Sequence, residues 1–187
     1  MGHGLIGDEI EDFTIWSVPV LAAATIGLWL VGRPGTVSKW RLATASALAS
    51  AGLALLTNQI ISHIWARARP TDAHPQAHLW FVHPSHDPSF PSDHAAAAFA
   101  IAVSVFLVSR RAGSAFLVAA AAISVARVLV GLHYPGDIAA GALVGTSAAL
   151  AVHHLARRPL IGVVRAIGRV TDLLLAPIWR HAVYKRR

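Results

Sequence analysis

The sequence predicts an all-α integral membrane bundle: about five transmembrane helices followed by an amphipathic C-terminal helix. Three observations carry this. Of 187 residues, 55% are hydrophobic and only 13% charged, whereas soluble domains carry about 25% charged residues. The apolar residues gather into runs long enough to cross about 30 Å of hydrocarbon as helix. The basic residues, which give a formal charge of +7, fall where a membrane topology would put them. Such charge also suits nucleic acid, but apolar runs this long exclude a small nucleic-acid-binding domain. With no cysteine, disulfide and thiol chemistry are excluded as well.

The first span is expected over residues 13–31, apolar apart from Thr14, Ser17 and Thr25, with Pro19 as a site for a kink. Its flank is acidic (Asp8, Glu9, Glu11, Asp12), where a secretory signal would be basic, so it reads as a permanent span. Arg33-Pro34-Gly35 breaks the helix, and Lys39 and Arg41 lead into a second span over 42–65. A polar connection, 66–91, follows; it is too polar for lipid, and loops of this length commonly carry function. Spans three, four and five are placed at 92–108, 114–132 and 136–155, with Arg110-Arg111 after the third. Small residues crowd the last two, including Ala139-Ala140-Gly141-Ala142 and Gly145, and let helix backbones approach closely. In the tail, 160–184, Arg165, Arg169, Asp172 and Arg180 interrupt an apolar pattern at helical spacing. It reads as an interfacial helix; a sixth span is the competing reading. With no internal repeat, the chain is a single domain over 1–187.

Charge tests the topology. With the N-terminus outside, the inner loops hold Arg33, Lys39, Arg41, Arg110, Arg111 and every basic residue from Arg157 onward. Of the nine acidic residues only Asp172 falls inside. This is the positive-inside distribution. The polar connection and the ends of its neighbouring spans then face outward.

Three clusters meet at that outer edge: Arg67-Ala68-Arg69-Pro70, Pro91-Ser92-Asp93-His94, and Arg127 followed by His133-Tyr134-Pro135-Gly136-Asp137. Ionisable groups beside hydrocarbon are expensive and mark function by default. Ser92 suits an N-cap, Asp93 a first turn, and His94 stands beside backbone N–H groups that attract anions. Arginine's planar fork matches phosphate. His133 and Asp137 lie four residues apart, close enough for the carboxylate to hold the imidazole in one tautomer. An imidazole so held can attack phosphorus, and a second, His94, can protonate the leaving oxygen. Each piece has a plainer reading: a snorkelling arginine, a capping histidine, a simple turn. Arg127, inside an apolar run, resists it, since an unpaired arginine there costs at least about 2.5 kcal/mol.

These residues resemble the motifs of the type-2 phosphatidic acid phosphatase superfamily. Its pattern is a basic residue, six others and Arg-Pro; then Pro-Ser-Gly-His; then Ser-Arg, five others, His, three others and Asp. Arg69-Pro70, Pro91-Ser92-Asp93-His94, and Ala126-Arg127 through His133 to Asp137 match in order and spacing. Within it, the Phe-Pro-Ser-Asp-His wording, the His-Tyr-Pro turn and the basic tail most resemble the bacitracin-resistance type undecaprenyl diphosphate phosphatases. The resemblance implies that His133 is a nucleophile forming phosphohistidine, oriented by Asp137, and that His94 is the general acid. Arg69, Ser92 and Arg127 would bind phosphoryl oxygens. No metal or other cofactor is implied, because arginines and a helix N-terminus supply the positive charge.

Three positions depart from the pattern. Ser62 stands in place of the first lysine, with Arg67 as the substitute phosphate ligand. Asp93 replaces glycine and is expected to pair with Arg67 or Arg69, or to be protonated when substrate arrives. Ala126 replaces serine. The implied substrate is an amphipathic lipid diphosphate met at the outer face of a bacterial cell membrane. Another lipid phosphate (phosphatidylglycerophosphate, phosphatidate, decaprenyl phosphoribose phosphate) is the enzymatic alternative, and oligomeric state is not readable. A non-catalytic lipid-binding protein is a further reading. So is a metal-binding or transport protein using His63, His74, His78, His83, His86 and His94, although these spacings give no compact ligand pair on a helix.

Overall fold

The centre of the bundle is its shortest long helix, α4 (Asp93–Val108), packed against α2 (Lys39–Ile64), α5 (Arg110–Leu129) and α6 (Pro135–Leu155). The computed structural model describes residues 5–31, 37–74 and 87–184. Their remaining elements are α1 (Leu5–Leu30), the single turn α3 (Pro70–Ala73) and α7 (Arg157–Tyr184), with no strand among the described residues. α1, α2, α5 and α6 each contain a stretch long and apolar enough to cross a membrane, and α4 is a shorter apolar helix. The fold is the expected all-α membrane bundle.

Small side chains make the core. Ala95, Ala96, Ala98, Ala100 and Ala102 of α4 are fully buried, as are Ala43, Ala47 and Ala54 of α2. Many large apolar residues instead point outward: Val20, Leu56, Val118, Leu129 and Leu143 are all more than half exposed. In water this would be inside-out; in lipid tails it costs nothing, and close backbone packing drives association. The α4–α6 contact is a close one. A Cβ on Gly141 would lie 2.4 Å from the Ser92 carbonyl oxygen, and one on Gly145 would lie 2.2 Å from that of Ala96. Two polar contacts join helices: Ser104 Oγ donates to Ser50 Oγ at 3.0 Å, and Thr44 Oγ1 donates to the Thr25 carbonyl at 2.8 Å.

Helix ends differ from the expected span ends for identifiable reasons. α5 starts at Arg110, separated from α4 by Ser109 alone. Arg110 and Arg111 open α5 instead of forming a loop, because arginine is a good helix former. At the other end α5 stops at Leu129, and Gly131 follows with φ 77°, a left-handed conformation that glycine adopts without penalty. α1 continues through Pro19. Among the described residues of the 66–91 connection only α3 is helical, and residues 75–86, including His78, His83 and His86, lie outside the described residues.

α7 is amphipathic and, despite its length, is not among the helices apolar enough to cross. Its contacts with α1 and α2 fall at their ends. Thr171 Oγ1 accepts from Trp29 Nε1 at 3.2 Å, and Asp172 pairs with Arg41 in the first turn of α2. It therefore packs across the end of the bundle remote from His94.

Glycine packing gives a direct test. Gly145→Ala should destabilise the protein by about 1–3 kcal/mol, because the methyl meets backbone that cannot yield. Gly162→Ala in α7, where nothing lies within 4 Å of the new methyl, should be neutral or stabilising. Thermal unfolding in detergent separates them; equal midpoints would contradict the close α4–α6 contact.

Candidate active site

The residues singled out in the sequence sit on four helix ends that converge. Ser92 caps α4, its Oγ accepting from the Ala95 amide at 3.4 Å, so Asp93 and His94 occupy the first turn. Arg127 lies in the last turn of α5. Gly131 reverses the chain, His133 follows, and Pro135 opens α6 with Asp137 two residues later. The Ser92 amide donates to the Asp137 carbonyl at 3.1 Å and ties the α4 and α6 starts together.

A cavity of about 330 Å³ opens between them, lined by Arg69, Asp93, His94, Arg127 and His133, with Ser62 and Gln59 of α2. Its two arginines are nearly enclosed, 7% and 6% exposed. Arg69 donates from Nε to the Asp87 carbonyl at 2.9 Å, while its buried Nη1 has no partner. Arg127 donates from Nη1 to the Thr14 carbonyl at 3.3 Å, while its buried Nε has none. An unmet buried donor on a cation is costly. Two arginines lining one cavity fit an anion with several acceptor oxygens.

His133 is buried, and its Nδ1 is 2.9 Å from the Ser89 carbonyl oxygen. A carbonyl can only accept, so Nδ1 carries the proton and the lone pair is on Nε2. Burial lowers the His133 pKa below the ordinary imidazole value, and the charges of Arg127 and Arg69 lower it further. Asp137 and the Ser89 carbonyl oppose this without reversing it. The ring is neutral and oriented, as a nucleophile requires.

Asp137 acts on His133 less directly than the four-residue spacing implied. Its Oδ2 is 3.9 Å from His133 Nδ1, while Ser89 Oγ donates to that same Oδ2 at 2.6 Å. Ser89 thus bridges carboxylate and imidazole, hydroxyl to one and carbonyl to the other. Sequence reasoning missed it, because a serine in a Pro/Ser-rich loop carries no distinguishing signal.

Two expected phosphate ligands and one expected pairing come out differently. Arg67 does not line the cavity. Its Nη1 donates to Asp137 Oδ1 at 3.1 Å, and its guanidinium lies 3.8 Å from the Tyr134 ring centroid. A buried carboxylate attracts it more strongly than an open cleft does. Ser92 is fully buried, with its hydroxyl used as the cap. Asp93 does line the cavity, but its Oδ1 accepts from Asn58 Nδ2 at 2.8 Å rather than from Arg67 or Arg69. Among the described residues no group of three or more metal-ligating side chains could hold an ion.

The sequence model of the PAP2 superfamily matches residues 43–160, from α2 through the start of α7. The chain belongs to this superfamily. It is 33% identical over 132 residues to the bacitracin transport permease protein BcrC of Bacillus licheniformis, covering 71% of this chain and 63% of the relative. It is also 31% identical over 137 residues to the undecaprenyl-diphosphatase BcrC of Bacillus subtilis strain 168, covering 73% of this chain and 68% of the relative. The chain thus spans just under two thirds of the first of these relatives. As a PAP2 chain it carries all three motif clusters around one cavity.

Anion binding by the two enclosed arginines is measurable without turnover. Arg69→Gln or Arg127→Gln should each weaken orthovanadate or phosphate binding by about 10- to 100-fold, the worth of a charge-assisted hydrogen bond. Arg67→Gln, outside the cavity, should weaken it far less. Calorimetric titration in detergent checks the order, and equal losses for all three would contradict it.

Proposed function

We propose that this PAP2 chain is a lipid phosphatase that hydrolyses a polyprenyl diphosphate to the monophosphate and inorganic phosphate through a phosphohistidine at His133. The observation that carries the reading is the pair of nearly enclosed arginines, Arg69 and Arg127, lining one cavity with His133 and His94. The name of the Bacillus subtilis relative supports the choice of a diphosphate.

In this mechanism the terminal phosphoryl group sits between the two arginines. The N-terminus of α4 adds partial positive charge. His133 Nε2 donates its lone pair to phosphorus, and the bond from phosphorus to the bridging oxygen breaks. His94 gives its proton to that oxygen, and the lipid monophosphate leaves. Water, losing a proton to His94, then attacks the phosphohistidine; the P–N bond breaks and inorganic phosphate departs with His133 restored. Ser89 and Asp137 hold Nδ1–H throughout and stabilise the cationic ring of the intermediate. The charge distribution along the chain supports a site on the outer face of a bacterial cytoplasmic membrane. The lipid tail would then stay in the bilayer while the head enters the cavity.

Terminally ³²P-labelled undecaprenyl diphosphate, rapidly quenched with EDTA present, should label the protein with acid-labile phosphate. His133→Ala should abolish both label and phosphate release, and His94→Ala should slow release by about 10²- to 10⁴-fold. Full activity in His133→Ala would remove the assigned nucleophile. Parallel rates on phosphatidylglycerophosphate and phosphatidate decide the substrate class, with a faster glycerophospholipid overturning the diphosphate assignment.

The His133 environment also sets a pH dependence. The ring attacks only when neutral, and its pKa is lowered. At saturating substrate kcat should therefore hold as pH falls through about 6.5, the ordinary imidazole value, and decline only below it. Arg127→Gln removes one of the charges responsible and should move that acid limb back up. An acid limb above 6.5 in the native enzyme would contradict a buried neutral nucleophile.

A further inference from the structure

At the opposite end of the bundle a second cationic cavity, of about 460 Å³, lies between the first turn of α2 and α7. Its lining includes Arg41, Arg165 and Arg169 against the single carboxylate of Asp172. Arg41 is 1% exposed; both its terminal nitrogens go to Asp172, and its buried Nε has no partner. Arg165 and Arg169 are one helical turn apart on α7 and exposed. Topology accounts for positive charge at this end, and Arg110, Arg111 and Arg158 serve it outside this cavity. It does not require two guanidiniums to gather around a third that is buried. Asp172 offsets the buried Arg41, and two further like charges at the same cavity repel unless a second anion sits among them.

We propose that this cavity binds the phosphate group of an anionic lipid. The arginine forks supply the phosphate chemistry. A lipid source is favoured over free phosphate by the surroundings. A neighbouring cavity of about 420 Å³ shares Val37 and is walled by Leu42, Leu107 and Val108, with Lys39 and Arg157 also in its lining. The apolar residues Ile167, Val170, Leu173 and Leu174 of α7 are exposed, as on a helix lying at a bilayer surface. The lipid would clamp α7 to the base of α2, an effect independent of turnover at the other end.

The test is thermal unfolding of the full chain in dodecyl maltoside with added phosphatidylglycerol, phosphatidylcholine or inorganic phosphate. Phosphatidylglycerol should raise the midpoint by about 3 °C or more once it exceeds its dissociation constant several-fold. R165Q/R169Q, altering only exposed side chains, should remove most of that rise, whereas R110Q/R111Q at the same end should keep it. An undiminished rise in R165Q/R169Q, or an equal loss in R110Q/R111Q, would overturn the site. If the component lost in R165Q/R169Q is reproduced by inorganic phosphate alone, the lipid assignment falls. The readout makes no use of catalysis, so failure here leaves the His133 reading standing, and the reverse.

Discussion

One fully buried carboxylate organises the candidate site. Asp137 accepts from Arg67 on Oδ1 and from Ser89 Oγ and the Tyr134 amide on Oδ2, while its own carbonyl accepts from the Ser92 amide. Four parts of the chain thereby meet at one residue: the two ends of the polar connection, the start of α4 and the His133 turn. A carboxylate removed from water is tolerable only when its lone pairs are met. Here they are met by groups that must be in place for His133 to be in place. Stability and geometry of the site are therefore the same requirement.

Much of this was legible in the sequence because its signals are local. The abrupt passage from Pro91-Ser92-Asp93-His94 into alanines marks a helix start, and the Gly131-to-Pro135 stretch marks a turn between helices. Apolar runs and the sorting of charge gave the bundle. What the sequence left open were contacts between distant segments. Arg67 and Arg69, two residues apart, present themselves alike, yet one binds Asp137 and the other enters the cavity. That choice depends on which carboxylate the fold brings near. Asp93 likewise found Asn58 from α2, thirty-five positions earlier. The Ser89 bridge had no local mark at all.

The two ends of the bundle use arginine in contrasting ways. At the cavity, Arg69 and Arg127 each spend one nitrogen on a backbone carbonyl and keep another buried and unmet. Arg127 is fixed in place but not neutralised, while Arg69 also feels the charges of Asp87, Asp72 and Asp93. At the far end Arg41 is paired bidentately with Asp172 and joins α2 to α7. A carbonyl positions a cation without cancelling its charge, whereas a carboxylate does both.

The brevity of α4 has a consequence for how deep the chemistry lies. Its 16 residues measure about 24 Å as helix, against about 30 Å of hydrocarbon. Were α4 to stand along the bilayer normal with its Ser109 end at one surface, its His94 end would fall about 6 Å short of the other. The cavity would then be a well sunk into the apolar layer rather than a cleft above it. A lipid head would descend about one helical turn to reach the arginines, shedding bulk water on the way. A water-soluble phosphate ester, with no tail to hold it in the bilayer, would have to make that descent unaided. Depth alone would then discriminate between substrates that the phosphate contacts treat alike.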